Sequence, residues 1–213
     1  MLALFLSAFV TLFVVIDPPG CAPIFASLTR DAPHGQRRSM AIRSTLIATV
    51  LLFLFALVGE KLLATLGISL DAFRIAGGIM LFLIALEMVF EKRTERREER
   101  ADEISRKAAE ERRPIEDVSV FPMAIPMIAG PGSIATVMLL VSRSNGIEQT
   151  IVVLAALVAV LALTGAALLA AGPIMRVLGP KLEAMITRVL GVLLAALAAQ
   201  FVIDGISAAF GLR

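Results

Sequence analysis

Two short stretches hold the groups that could do chemistry. Asp17, Pro18, Gly20, Cys21 and Ala22 stand in "IDPPGCAP" at 16–23, and Gly130, Gly132, Ser133 and Thr136 stand in "AGPGSIAT" at 129–136. Pro18, Pro19 and Pro23 crowd the first stretch, and Pro122, Pro126 and Pro131 crowd the second. Each proline removes a backbone donor and clashes with the turn before it, so a helix entering either stretch must open. An opened helix leaves bare carbonyls at the end of its first half and bare N–H groups at the start of its second. The second halves, expected near Pro23 to Thr29 and Ser133 to Val141, present N-termini that favour an anion such as a carboxylate. Carbonyls and the Asp17 charge oppose them. Such a site suits a small zwitterion, with these nine residues as its candidate binding set.

Asp17 has two readings. It could cap the half-helix that follows it, or it could carry substrate recognition or ion coupling, since an ionisable residue at membrane depth is a functional candidate by default. Its counterpart in the second stretch is Ala129, so the acid is not needed to open the helix. Ser133 is expected to cap the second half-helix, and Thr136, three residues on, to face the same cavity. Glu60, Lys61, Glu87 and Asp204 lie near span ends, where they can reach water. One cysteine and one histidine supply neither a disulfide framework nor a metal-ligand set. No cofactor is expected beyond a coupling ion, proton or sodium, and the chain is not expected to be an enzyme.

The elements that position these groups lie in a membrane. The chain has 213 residues, 58% hydrophobic, with mean hydropathy +0.89. A soluble domain averages roughly 45–50% apolar residues. The net charge of +2 gives no basic surface for nucleic acid. Six stretches approach the ~20 apolar residues that a spanning helix needs. They are Leu2 to Leu28 (interrupted), Met40 to Val58, Ala72 to Phe90, Val118 to Val141 (interrupted), Ile151 to Ala171 and Met185 to Ile203. No Lys or Arg precedes the first, so Gly20–Cys21 does not read as a processing site.

Residues 91–117 form a linker with nine Lys/Arg and ten Asp/Glu, spaced as in a solvated helix. With six spans, the face carrying this linker holds fifteen basic residues and the face carrying both termini holds three, Lys61, Arg143 and Arg213, with Arg74 and Arg188 at span ends left out. Positive-inside bias places the linker in the cytoplasm and both termini outside.

The chain also repeats itself. A shift of 112 sets Pro19 on Pro131, Gly20 on Gly132 and Gly67 on Gly179, and a shift of 114 sets Arg74 on Arg188 and Gly77 on Gly191. Each copy holds three spans, 1–90 and 118–213, so the second enters the membrane from the opposite face. The expected fold is an all-α membrane protein of six transmembrane helices, a 3+3 inverted repeat whose first and fourth helices are discontinuous. That pattern points to a secondary transporter with its site where the two breaks meet near the midplane.

"DPPGCAPIFASLT", "GISLDAFRIAGGIMLFLIALEM" and "MAIPMIAGPGSIATV" together resemble the MarC family of bacterial inner-membrane proteins, also called the six-span neutral amino-acid transporter family. The resemblance covers nearly the whole chain outside the linker. It implies transport of small neutral amino acids such as alanine and glycine across the inner membrane, outward and driven by an ion gradient. The family's motif residues match here at Asp17, Pro18, Gly20 and Pro23, and at Pro126, Gly130, Pro131 and Gly132. One departure is Cys21, where the family commonly has Asn. Transport of another small solute or drug in the same fold is the alternative. The oligomeric state stays open.

Overall fold

The computed structural model describes residues 1–30, 32–90 and 117–211, with 174–183 described by backbone alone. Most of the linker, 91–116, therefore lies outside the described residues. The described chain is helical throughout and contains no strand. Its helices are α1 (Leu2–Ile16), α2 (Pro18–Leu28), α3 (His34–Thr65), α4 (Leu70–Val89), α5 (Pro131–Ser142), α6 (Ile147–Leu169) and α7 (Ala171–Ala209), with an irregular turn segment, Ser119–Ile128, before α5. Five helices are long and apolar enough to cross a membrane, or six when the Ser119–Ile128 segment and α5, bent by 52°, count as one span.

The first opening is narrower than the proline count implies. Only Asp17 leaves the helix, at φ 58°, ψ 64°, and α2 starts at once with Pro18 and Pro19 in its first turn. N-terminal helix positions have no intrahelical acceptor to reach, so proline loses nothing there, and its fixed φ already suits the helix. Pro131 opens α5 in the same way. The second halves therefore begin at Pro18 and Pro131, some residues earlier than expected.

The second opening is wider. Met123 N–H bonds Val118 O at 3.2 Å and Ala129 N–H bonds Ala124 O at 2.9 Å, each reaching five residues back. Phe121 and Ile125 stand in extended backbone (φ −123° and −128°), and the Phe121–Pro122 and Ile125–Pro126 peptides are cis. The sequence treats 118–129 as a half-helix. Proline disfavours helical backbone in the residue before it and has no N–H of its own, and here that happens twice in five residues.

Another difference concerns Gly67 and Gly179, paired by the repeat. Gly67 turns the chain at φ 71°, whereas Gly179 lies inside the 39-residue α7.

Packing places α4 along α7 and α3 along α6. α2 lies on α6 and α7, while α5 lies on α3 and α4. α1 lies on α6, and Ser119–Ile128 lies on α3. One core gathers Leu12, Ile16, Phe25, Leu52, Ile128 and Leu157 around both openings, and a second gathers Val15, Leu81, Met88, Leu194 and Phe201 between α4 and α7. Small residues set the approach of these helices. A Cβ on Gly78 would stand 2.9 Å from the Ala198 carbonyl, and one on Gly191 would stand 2.9 Å from the Met88 Cβ.

Candidate functional site

Asp17 is 2% exposed. Its own N–H closes α1 on Phe13 O at 2.9 Å, its carbonyl accepts Cys21 N–H at 3.0 Å, and its carboxylate accepts Gly20 N–H at 3.2 Å. A left-handed residue with a short polar side chain ends one helix and caps the next. Gly20 fits because nothing larger would: a Cβ there would lie 2.3 Å from Asp17 Oδ2. Cys21, fully buried, directs its Sγ to Ile16 O at 3.5 Å. Acid, glycine and thiol thus satisfy the first opening from within.

The second opening lacks that acid. Ala129 occupies the matching position, and the N-cap of α5, Gly130, supplies no side-chain acceptor. Ser133 sits in the third position of α5 and does not cap it, against the expectation for this residue. Its hydroxyl makes no hydrogen bond to any described residue, although the residue is 3% exposed. Thr136 is fully buried and gives its hydroxyl to Gly132 O at 2.7 Å.

A cleft of about 630 Å³ opens beside this second break. Gly130, Gly132 and Ser133 line it from α5, Pro122 and Pro126 from the turn segment, and Glu87 from α4. The remaining walls are mostly apolar. Asp17, Pro18, Gly20, Cys21, Ala22 and Thr136 do not line it. The structure therefore brings together Gly130, Gly132 and Ser133 and keeps Thr136 and the candidates of the first stretch in the packed interior.

Glu87 is the residue that sequence reasoning passed over, as an acid close enough to a span end to reach water. A signal was available. Met80, Leu83, Ile84 and Glu87 stand at i, i+3, i+4 and i+7, one face of α4, and all four line the cleft. Asp204 is partly buried and paired. It takes Arg143 Nη2 at 2.6 Å and Gln200 Nε2 at 2.7 Å, while the Arg143 guanidinium lies 4.6 Å from the Phe201 ring centre. Arg74 pairs with Asp71 at 3.0 Å, one turn earlier on α4. Arg43, in the first part of α3, pairs with Asp117 at the end of the linker, and Asp117 Oδ1 accepts Ser119 N–H at 3.0 Å. Hydrogen bonding from Ser119, with a lesser contribution from the Arg43 charge, holds the Asp117 carboxyl below its usual range against the opposing effect of burial. This junction ties the start of the turn segment to α3.

Comparison with known proteins agrees over the whole chain. The model of the MarC family of integral membrane proteins matches residues 2–210. A UPF0056 membrane protein of Methanocaldococcus jannaschii is 36% identical over 205 residues, covering 96% of this chain and 97% of its own. A UPF0056 membrane protein of Aquifex aeolicus is 34% identical, over 95% and 92% of the two chains. The UPF0056 membrane protein YhcE of Escherichia coli is 32% identical, over 95% and 91%. No solved structure matches.

Proposed function

The chain belongs to the MarC family of integral membrane proteins, and from that premise we propose that it is a secondary transporter of small neutral amino acids such as alanine and glycine. The observation that carries this reading is the second opening. There an uncapped helix N-terminus faces a cleft at a bend in the span, holding Gly130, Gly132 and Ser133 beside one acid. Backbone opened at membrane depth is tolerated where it lines a cavity or is buried in protein, and broken helices of this kind build transporter sites.

The packing supports a 3+3 inverted repeat with discontinuous first and fourth spans. Exchanging the two halves maps α3 on α6 and α4 on α7, and these partners lie against each other. The same exchange turns the contacts of α2 with α6 and α7 into those of α5 with α3 and α4. Transport then proceeds as the halves rock about the openings, outward across the bacterial inner membrane, with the linker cytoplasmic and both termini outside. A proton or sodium gradient drives it. Asp17, buried at the junction of α1 and α2, is the group whose charge couples the ion to the motion.

The experiment is uptake and counterflow of labelled alanine in proteoliposomes, with and without a pH or sodium gradient. Flux that needs the protein supports the reading. No amino-acid flux under any gradient overturns it in favour of another small solute, a second reading favoured by a cleft volume larger than alanine requires.

A further inference from the structure

The two halves differ in more than their openings. On α4, Met80, Leu83, Ile84 and Glu87 line the cleft, which runs from the first turn of α5 to within two residues of Val89, where α4 ends ahead of the linker. Those four positions cover a rise of roughly 10 Å. The cleft is therefore a path from the second opening toward the linker face, with Met80 and Leu83 exposed along it.

The shift of 114 carries these four residues to Leu194, Leu197, Ala198 and Phe201 on α7. Leu194, Ala198 and Phe201 are at most 1% exposed, and Leu197 packs on the same core. Cys21, the match of Ser133, is also fully buried. α1 lies against α7, whereas its counterpart, the turn segment, stands across the cleft from α4. Side chains thus fill the route that would lead from the first opening to the terminal face. The contact between α4 and α7 nevertheless obeys the exchange. A Cβ on Gly191 would stand 2.9 Å from Met88, and one on Gly78, beside the match of Gly191, would stand 2.7 Å from Val202, the match of Met88. One interface serves both halves, so the open path and the filled one are two arrangements of one plan.

The terminal end of the filled path carries a charge pair. Arg143 Nη2, at the end of α5, donates to Asp204 of α7 at 2.6 Å, and its guanidinium lies 4.6 Å from the Phe201 ring centre. Gln200 Nε2 donates to the other oxygen of Asp204 at 2.7 Å. At the linker end the match of Asp204 is Phe90, exposed and without charge.

We propose that Phe201 plugs a second access path, leading from the first opening to the terminal face, and that the Arg143–Asp204 pair is the latch that holds the plug in place. Breaking the pair frees Phe201, opens the path past Leu194 and Cys21, and closes the cleft on α4 as the halves exchange arrangements. The structure is the state open toward the linker face. The latch rests on the inverted repeat proposed above and supplies the transport reading with its second state.

Cys21 is a native reporter, because it lines the path once the plug moves. The test is the rate at which a small hydrophilic methanethiosulfonate labels thiols of the purified full chain in detergent, where both faces meet the reagent. Cys21 of wild type reacts at least about tenfold more slowly than Ser133→Cys in a Cys21→Ser background, as expected of a minor state. Asp204→Asn raises the Cys21 rate about fivefold, the shift that loss of one such pair gives a two-state equilibrium, and does not raise the Ser133→Cys rate. Arg143→Lys, which keeps the charge and folds more securely, raises the Cys21 rate by less. Exchanging the pair, Arg143→Asp with Asp204→Arg, returns it toward wild type. Rates that rise together at both thiols mark general loosening and overturn the latch. A Cys21 rate indifferent to Asp204→Asn, or equal to that of Ser133→Cys in wild type, overturns it too. The expected labelling without alanine flux in proteoliposomes leaves the latch standing and overturns the transport reading alone.

Discussion

The Asp17 carboxylate holds Gly20 N–H at 3.2 Å, and a methyl group on Gly20 would stand 2.3 Å from the same carboxylate. Cap and glycine are therefore one device. Gly20→Ala must push the carboxylate aside and lose the cap, at about 1–3 kcal/mol. Asp17→Ala loses the cap and leaves alanine in left-handed backbone, an effect of similar size. The double variant is less destabilised than the sum, because each change removes the same hydrogen bond. Thermal unfolding in detergent reads all three.

Asp17→Asn separates capping from coupling. Asparagine caps as well as aspartate and tolerates left-handed backbone, so the variant folds and unfolds within about 1 kcal/mol of wild type. Counterflow of labelled alanine persists while gradient-driven accumulation is lost. Accumulation equal to wild type would remove Asp17 from the coupling role and leave it as a cap.

Both openings were legible because proline and glycine act on the backbone directly. Their shape was not. "DPPG" and "AGPG" look alike in sequence, yet one interrupts a helix at a single residue and the other follows ten residues of irregular turn. The difference lies in Pro122 and Pro126, which extend Phe121 and Ile125, and in Asp17, which closes what Ala129 leaves open. The spacing of Glu87 with Met80, Leu83 and Ile84 on one face of α4 could be read locally, but which face of α4 meets the second opening is set by packing that no local pattern marks. The partner of Asp204 was not legible locally either, since Arg143 lies 61 residues away.

Two glycines with similar crowding are expected to differ in tolerance. At Gly78 an added Cβ meets backbone, Ala198 O at 2.9 Å and Val202 N at 3.0 Å, which can yield only if α4 and α7 separate. At Gly132 the nearest atom is the tip of Ile84, which can rotate into the cleft. Gly78→Ala is therefore destabilised by ~1–3 kcal/mol and Gly132→Ala by less. On the proposed transport reading, Gly132→Ala instead lowers alanine affinity, because Ile84 then fills part of the cleft. Melting curves and titrations on both variants decide the order.

Arg143 ends α5 and Asp204 lies on α7, so their 2.6 Å contact ties the helix that borders the cleft to the 39-residue α7. With side chains 33% and 16% exposed, the pair lies between a screened surface bridge and a buried one. Arg143→Ala and Asp204→Asn are each expected to destabilise by ~1–3 kcal/mol, and a double-mutant cycle gives a coupling near 1 kcal/mol. Arg143→Lys recovers only part, since lysine keeps the charge but lacks the planar face that lies over Phe201.

The proposed orientation decides whether the proposed transport is export or import, and it rests on basic residues alone. Fifteen lie on the linker face and three on the terminal face. Asn145 lies exposed in the connection between α5 and α6, on the terminal side, and Thr94 belongs to the linker. Cys21, the native thiol, is fully buried, so cysteines introduced at these positions report on their own surroundings. In intact cells a membrane-impermeant maleimide labels Asn145→Cys at once, and Thr94→Cys only after lysis. The opposite pattern would place the linker outside, against the positive-inside bias, and would reverse the gradient that the proteoliposome experiment must supply to drive export.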